Sequence, residues 1–279
     1  MGESGCGKTT LALAVMKLLP YNAKILKGEI LFDGKDITKI NETEMRRQVR
    51  WKKMSMVFQG SMNAFSPVHT IGFQMAEAMI LHENLHKSEA HERVKNLLTL
   101  VGIPPSRANN YPHEFSGGMK QRAMIAMALA CNPPFVILDE PTTALDVIVQ
   151  AQVLKLVKEL QQKLHLSIML ISHDISVVAQ ICNNVSVMYA GKVVEVGKAS
   201  TIFKEPLHPY TKGLMGAFPS AKGPKRRLKS IPGSPPDLLK PPLGCRFHPR
   251  CPLVIDLCLK EEPEPIKMAD HMVACHLVG

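Results

Sequence analysis

The sequence predicts an α/β protein with a parallel sheet, a helical insertion and a small irregular C-terminal extension. Two continuous apolar runs, FVILD (135–139) and SIMLIS (167–172), are typical of strands that are buried on both faces of a parallel sheet. A long helix is expected between them, after Asp146, because apolar residues recur there at helical spacing: Val153, Val157, Leu160 and Leu164. Strands that alternate with helices indicate a parallel sheet with crossover helices.

The other elements follow in chain order. We predict a first helix from near Lys8 to Pro20, strands in GEILFDGKDI with turns at Gly28 and Gly34, a strand MSMVF that ends at Gln59, a helical subdomain over about 70–131, a short helix from Asp174, and strands VSVMYA and KVVEV. Pro and Gly become dense from about residue 203. We therefore predict a main domain over 1–202 and an extension over 203–279.

Composition excludes some classes of protein. No apolar run approaches the roughly 18 residues that cross a bilayer, so we expect no membrane-spanning segment. The formal charge of +10 allows a nucleic-acid or lipid-surface partner, but the basic runs at 46–53 and 222–229 lie far apart, and the second is most simply a solvated linker. Seven cysteines without a signal peptide indicate a reducing compartment, where metal sites are commoner than disulfides.

Residues 2–9, GESGCGKT, fit the pattern of a loop that wraps phosphates. Its glycines allow the backbone N–H groups to approach an anion, and the following helix points the positive end of its dipole at the same place. Lys8 could reach the outer phosphates, and the Thr9 hydroxyl could bind Mg²⁺. A chance match or a secretion signal is the alternative, but Lys17 and Glu3 interrupt the pattern of a signal.

Polar residues follow three of the predicted strands. Asp139 ends a buried strand, where open α/β sheets bind ligands, and suits a water-mediated contact with Mg²⁺. Glu140 could orient an attacking water, and His173 and Gln59 follow other strands. Each residue alone is weak evidence, since many strands end in an acidic turn and a lone histidine is more often structural.

The stretch FSGGMKQR (115–122) predicts a second helix N-terminus that could bind an anion, opened by Ser116. The alternative is a simple N-cap with a flexible turn, which has no role in binding. One nucleotide does not need both loops, but two chains arranged head to tail would use both, each presenting its Ser116 loop to the phosphate bound by the other.

The motifs GESGCGKTT, Gln59, SGGMKQR, VILDEPTTALD and ISHD together resemble those of ABC ATPases, in order and in spacing. The resemblance implies a P-loop NTPase fold with a RecA-like parallel sheet and a helical subdomain, and ATP held between two subunits. It implies catalytic roles for Glu140, His173 and Gln59, a link from Gln59 to the membrane partner, and a bridge between two ATP sites at Asp146. It assigns the remaining contacts as follows: ATP to Gly2, Glu3, Ser4, Gly5, Cys6, Gly7, Lys8, Thr9 and Thr10; Mg²⁺ to Thr9, Gln59 and Asp139; and contacts in trans to Ser116, Gly117, Gly118 and Gln121.

The segments PLHPYTKGLM (206–215) and IPGSPPDLLKPPLGCRFHPRCP (231–252) resemble the C-terminal region of oligopeptide/dipeptide importer ATPases of the D type. The resemblance implies import of di- or oligopeptides. It also implies four kinds of context: a second, F-type ATPase subunit, two membrane-spanning permeases, an extracytoplasmic peptide-binding protein, and a peripheral location on the cytoplasmic face of the inner membrane. No nucleic-acid partner is expected.

Cys245, Cys251, Cys258 and Cys275 are separated by five, six and sixteen residues in a segment with little core of its own. Four thiolates can bind Zn²⁺ or a [4Fe–4S] cluster, and the spacing alone does not decide between them. The resemblance favours the cluster, with zinc or no metal as alternatives. Cys131 and Cys182 are expected as buried thiols in apolar helices.

Rival functions are an ABC-type ATPase that acts on nucleic acid and an iron–sulfur redox protein that the phosphate loop regulates. The resemblance also implies an upstream strand and an adenine-stacking aromatic residue before the phosphate loop. We therefore expect an N-terminally truncated chain or a misassigned start, with a non-functional remnant of the importer subunit as a further alternative.

Overall fold

The computed structural model describes residues 1–60, 64–217, 231–268 and 270–278, so the basic run at 222–229 lies outside the described residues. The chain forms two compact units, one over Thr9–Ile171 and one that combines Met1–Lys8 with Ser172–Gly279. The predicted boundary at 202/203 stays a prediction. In the described ranges, no helix is both long enough and apolar enough to cross a membrane.

The unit 9–171 contains a three-stranded parallel sheet and most of the helices. Its elements are α1 (Lys8–Val15, whose first residue belongs to the other unit), β1 (Leu31–Phe32), β2 (Lys35–Asp36), α2 (Glu42–Glu44, continued by a π-helix over Met45–Val49), β3 (Met54–Val57), α3 (Ile71–Glu83), α4 (Lys87–Leu100), short 3₁₀ turns at Pro105–Asn109 and Pro112–Glu114, α5 (Gly117–Ala128), β4 (Phe135–Asp139), α6 (Val147–Leu164) and β5 (Ser167–Ile171). These bounds confirm the predicted strands, the helical stretch and the long helix.

The parallel sheet has the order β3-β4-β5. Val57 pairs with Leu138, and Leu138 with Leu170, so the three carboxyl ends lie at one edge. Apolar side chains of the three strands pack together with residues of earlier segments. The cluster contains nine buried residues: Ala12, Met16, Ile37, Met45, Val49, Met54, Met56, Ile137 and Ile171. The polar residues that follow β3 and β4 therefore lie at the carboxyl edge of a buried apolar sheet.

The unit formed by 1–8 and 172–279 is built on an antiparallel sheet of order β6-β7-β9-β8. Its elements are α7 (Ile175–Ile181), β6 (Asn184–Tyr189), β7 (Lys192–Lys198), α8 (Ala199–Lys204), α9 (Pro209–Gly216), a 3₁₀ turn (His248–Arg250), α10 (Asp256–Lys260), β8 (Ile266–Met268) and β9 (His271–Val273). The prediction of an irregular extension is wrong in part, since Glu195 of β7 pairs with Val273 of β9. Strands of three residues are too short to show a period in the sequence.

Three smaller expectations also need correction. The first helix ends at Val15, not Pro20, because the chain turns at Lys17, where φ is 50°. Leu164 does not extend the buried stripe, since it is the last residue of α6 and 39% exposed. Cys131 and Cys182 follow α5 and α7 instead of lying inside them, and Cys182 is only partly buried.

Candidate functional site

The phosphate loop packs closely against strand β6. The Met188 amide donates to the Met1 carbonyl at 2.8 Å, and Gly2 has φ 151°. A Cβ at Gly2 would lie 2.1 Å from the Met188 carbonyl oxygen, so any larger residue would displace the loop. At its other end, the Gly191 amide donates to the Cys6 carbonyl at 3.0 Å. The loop backbone is therefore held at one end by β6 and at the other by the turn between β6 and β7.

The Lys8 ammonium lies inside this loop. It is 7% exposed and donates to the Gly2 carbonyl at 2.8 Å and to the Glu3 carbonyl at 2.9 Å. Ser4 and Gly5 are exposed at the tip, and Thr9 and Thr10 lie in the first turn of α1, Thr9 partly buried. The loop thus surrounds a cation and precedes a helix N-terminus, which is the arrangement that an anion-binding loop requires.

Glu3 of the loop is held by two residues that sequence reasoning missed. Its carboxylate accepts from both terminal nitrogens of Arg250, at 2.7 and 3.1 Å, and its amide donates to the Tyr210 hydroxyl at 2.9 Å. Both partners lie in segments that the resemblance singled out, PLHPYTKGLM and CRFHPRCP, but nothing in the pattern assigned them a role.

The carboxyl edge of the parallel sheet brings Gln59 and Glu140 together. Gln59 Nε2 donates to Glu140 Oε2 at 2.9 Å, and Thr143 Oγ1 donates to the same oxygen at 3.1 Å. The Glu140 amide donates to the Ile171 carbonyl at 2.9 Å, and Asp139, at the end of β4, is fully buried. His173 comes two residues after β5 and is exposed. Gln59, Asp139 and Glu140 therefore form one polar edge.

The predicted helix start at Ser116 is confirmed, and so is the start of the long helix at Asp146. Ser116 Oγ accepts from the Met119 amide at 3.4 Å, and Asp146 Oδ1 accepts from the Val149 amide at 2.9 Å. The two helices touch near their N-termini, since a Cβ at Gly118 would lie 2.6 Å from Val149 Cγ1. Ser116 and Gly117 are exposed, whereas Gln121 is buried. Ser116 and Gly117 are therefore accessible at the surface, whereas the Gln121 side chain is not.

The four C-terminal cysteines are free thiols that lie near one another. The pKa of Cys245 is raised to about 11, mainly by burial and to a smaller extent by negative charge on Cys258, Cys275 and Cys251. The Cys245 amide donates to the Cys258 carbonyl at 2.9 Å. Among the residues that the structure describes, however, no three His, Cys, Asp or Glu side chains are placed to hold a metal ion. The donor atoms suit a metal cluster, but the described geometry does not form its site.

Comparison with known proteins identifies the family of the chain. A family model described as "ABC transporter" matches residues 1–143. The chain belongs to the ABC transporter ATP-binding family. A second model, "Oligopeptide/dipeptide transporter, C-terminal region", matches residues 194–258, a range that includes Cys245, Cys251 and Cys258. The resemblance stated from the motifs is therefore confirmed.

Several relatives match almost the whole chain. It is 48% identical to the dipeptide transport ATP-binding protein DppD of Bacillus subtilis, over 99% of this chain and 84% of that protein. It is 46% identical to DppD of Escherichia coli, over 99% of this chain and 85% of the relative. It is 47% identical to the oligopeptide transport ATP-binding protein OppD of Bacillus subtilis, over 97% of this chain and 76% of that protein.

Solved structures confirm the fold class. The dimeric ATP-binding cassette MJ0796, described as a post-hydrolysis state bound to ADP and Pi, superposes with a TM-score of 0.62 at 28% identity, over 71% of this chain and 83% of that one. CbiO1 of Clostridium perfringens, part of an ABC transporter complex, superposes with a TM-score of 0.63 at 31% identity, over 74% of this chain and 78% of that chain. The predicted α/β nucleotide-binding fold is thus confirmed.

Proposed function

We propose that the chain is the ATP-binding subunit of an importer and that it hydrolyses ATP to drive the uptake of di- or oligopeptides. The observation that carries the proposal is the similarity to dipeptide and oligopeptide transport ATP-binding proteins over nearly the full chain. The geometry supports the hydrolytic half, through a phosphate loop around Lys8 and a polar sheet edge that carries Glu140. The nucleic-acid and redox rivals are not favoured, since the relatives are transport subunits.

In this proposal the loop residues Gly2 to Thr10 bind the phosphates through backbone amides, and Lys8 neutralises their charge. Glu140 orients and polarises the attacking water, while Gln59, in hydrogen-bond contact with it, relays the state of the site to the membrane partner. His173 contacts the γ-phosphate. Thr9, Gln59 and Asp139 would hold Mg²⁺, which supplies charge neutralisation between the phosphates when it is bound.

The exposed loop at Ser116 acts on a neighbouring subunit. Ser116, Gly117 and Gly118 would contact the ATP held by the second ATPase, with Gln121 supporting them from beneath, and Asp146 would lie between the two sites. This arrangement makes closure of the two subunits depend on the γ-phosphate, so hydrolysis releases the interface.

The partners implied are a related ATPase of the F type, two membrane-spanning permeases and an extracytoplasmic peptide-binding protein. The chain would then be peripheral, on the cytoplasmic face of the inner membrane. We keep the boundary at 202/203 as part of this proposal, with ATP chemistry before it and the importer-specific extension after it; the family model of the C-terminal region begins at residue 194.

The experiment that tests the function is ATP hydrolysis and peptide uptake by the complete transporter in proteoliposomes. Lys8→Ala and Glu140→Gln should each abolish both activities, and Glu159→Gln, on the exposed face of α6, is the matched carboxylate control. Uptake of peptide that persists in Glu140→Gln, or ATP hydrolysis that persists in both variants, would exclude the proposal.

We also propose that Cys245, Cys251, Cys258 and Cys275 bind a [4Fe–4S] cluster, with zinc as the alternative. Support comes from four free thiols that influence one another electrostatically. Anaerobically purified protein should contain about four iron and four sulfide per chain, and Cys258→Ser should lose them. Stoichiometric zinc without sulfide would identify the alternative, and protein free of both metals would reject the site.

A further inference from the structure

A bidentate ion pair joins the phosphate loop to the cysteine-bearing extension. Arg250 donates to Glu3 Oε2 at 2.7 Å and to Oε1 at 3.1 Å. The Arg250 side chain is 6% exposed and that of Glu3 is 28% exposed. Paired, planar contacts of this kind are the stronger class of hydrogen bond and fix the carboxylate in orientation as well as in distance.

Arg250 is itself held at its other contacts. Its Nε donates to the Pro232 carbonyl at 2.8 Å, and one terminal nitrogen also donates to the Tyr189 hydroxyl at 3.3 Å. The guanidinium carbon lies 5.7 Å from the centre of the Tyr189 ring. An arginine anchored in this way gives Glu3 a rigid partner.

Glu3 in turn contacts Lys8, the lysine of the loop. Its backbone carbonyl accepts from the Lys8 ammonium at 2.9 Å, while its amide donates to the Tyr210 hydroxyl at 2.9 Å. Arg250 therefore orients the residue whose carbonyl contacts the cation of the phosphate loop.

Charge gives Arg250 a second effect. The Glu3 carboxylate belongs to the loop that would receive the phosphates, and an unpaired carboxylate there repels a polyanion. The ion pair with Arg250 cancels that charge.

We propose that Arg250 is a positioning residue for ATP, which acts by neutralising and orienting Glu3 within the phosphate loop. The inference rests on the proposed function, since it takes ATP as the anion that the loop binds. Arg250 does not touch the nucleotide in this proposal. Its effect appears in ATP affinity and not in the rate of the chemical step.

The test measures binding of a fluorescent ATP analogue, together with KM and kcat for ATP, in the complete transporter. Arg250→Gln should raise Kd and KM about tenfold, the cost of one charge-assisted contact, with kcat within about twofold. Arg250→Lys keeps the charge but loses the paired geometry of the guanidinium, so its Kd and KM should lie between those of the wild type and of Arg250→Gln. Glu3→Gln/Arg250→Gln removes both charges and should recover most of the affinity.

A KM that rises while kcat is kept separates this role from a structural one, because a damaged loop would lower kcat as well. Recovery in the double variant shows that the effect of Arg250 passes through the charge of Glu3. Arg93→Gln, which breaks the half-buried pair with Glu83, is the matched control and should leave Kd unchanged. Where Arg250→Gln does not fold, Arg250→Lys and the double variant carry the same comparison.

Wild-type affinity in Arg250→Gln, or a double variant no better than the single, overturns the inference. If the wild-type protein binds ATP no more tightly than the Lys8→Ala variant does, the proposed function is overturned instead. The two failures are therefore distinguishable.

Discussion

The buried His208 side chain should make the unit formed by 1–8 and 172–279 sensitive to acid. His208 is 1% exposed and begins α9, where its Nδ1 accepts from the Tyr210 amide at 3.0 Å. Burial, with a smaller contribution from the charge of Lys212, lowers the pKa of His208 from 6.5 to about 4. The folded unit therefore holds the neutral ring, and the unfolded chain holds the protonated ring below pH 6.5.

The sign and the size of the effect follow from this difference. The stabilisation is fully present above pH 6.5 and is lost as the pH falls towards the folded pKa of about 4. At about 1.36 kcal/mol for each pH unit, the complete loss is about 3 kcal/mol, and about 2 kcal/mol of it has occurred by pH 5.

Urea unfolding followed by circular dichroism at pH 7.5 and pH 5 measures this loss. His208→Asn is the reference, because asparagine is a good N-cap that keeps an acceptor but does not titrate. Contributions from other titrating groups are common to both proteins and cancel in the comparison. Equal losses of unfolding free energy in the two proteins would refute the reasoning.

Three further predictions concern single side chains. Gly118→Ala should destabilise the protein by about 1–3 kcal/mol, since its Cβ meets the stiff Val149 side chain at 2.6 Å; adding Val149→Ala should restore the urea midpoint, and a midpoint that stays low would contradict the clash. Cys131, whose pKa burial raises from 9.0 to about 11, should carry about a hundredfold less thiolate than an ordinary thiol and resist alkylation until unfolding, as peptide mapping can check. Glu140→Gln should keep ATP affinity within about threefold while hydrolysis is lost, because polarisation of the water and not binding depends on its charge; a parallel loss of affinity would assign it a binding role.

The elements with a strong local signal could be predicted from the sequence. The strand FVILD (135–139) appears as β4 with the same bounds, because a strand buried on both faces needs an unbroken apolar run. Ser116 and Asp146 appear as helix N-caps, because short polar side chains satisfy amides that the first helical turn leaves unpaired. Local physics fixes these features, so a short window of sequence contains them.

The contacts that join distant segments could not be predicted in this way. Glu3 and Arg250 are 247 residues apart, and β9 joins β7 through a strand of only three residues. Neither relation leaves a period, a cap or a turn signal in the sequence. Their energy comes from tertiary contact alone, so only the folded chain shows which pairs form.

The backbone at Glu140 shows how the sheet edge supports chemistry. Its φ of 47° is a left-handed conformation that costs a non-glycine residue of order 1 kcal/mol or more. The conformation persists because the amide bonds to Ile171, and the carboxylate is held by Gln59 and Thr143. Because these three hydrogen bonds constrain one strained residue, the carboxylate has little freedom to rotate away. A glycine would adopt this φ at lower cost, so stability does not explain a glutamate at this position, whereas a fixed charge at the carboxyl edge of the sheet does.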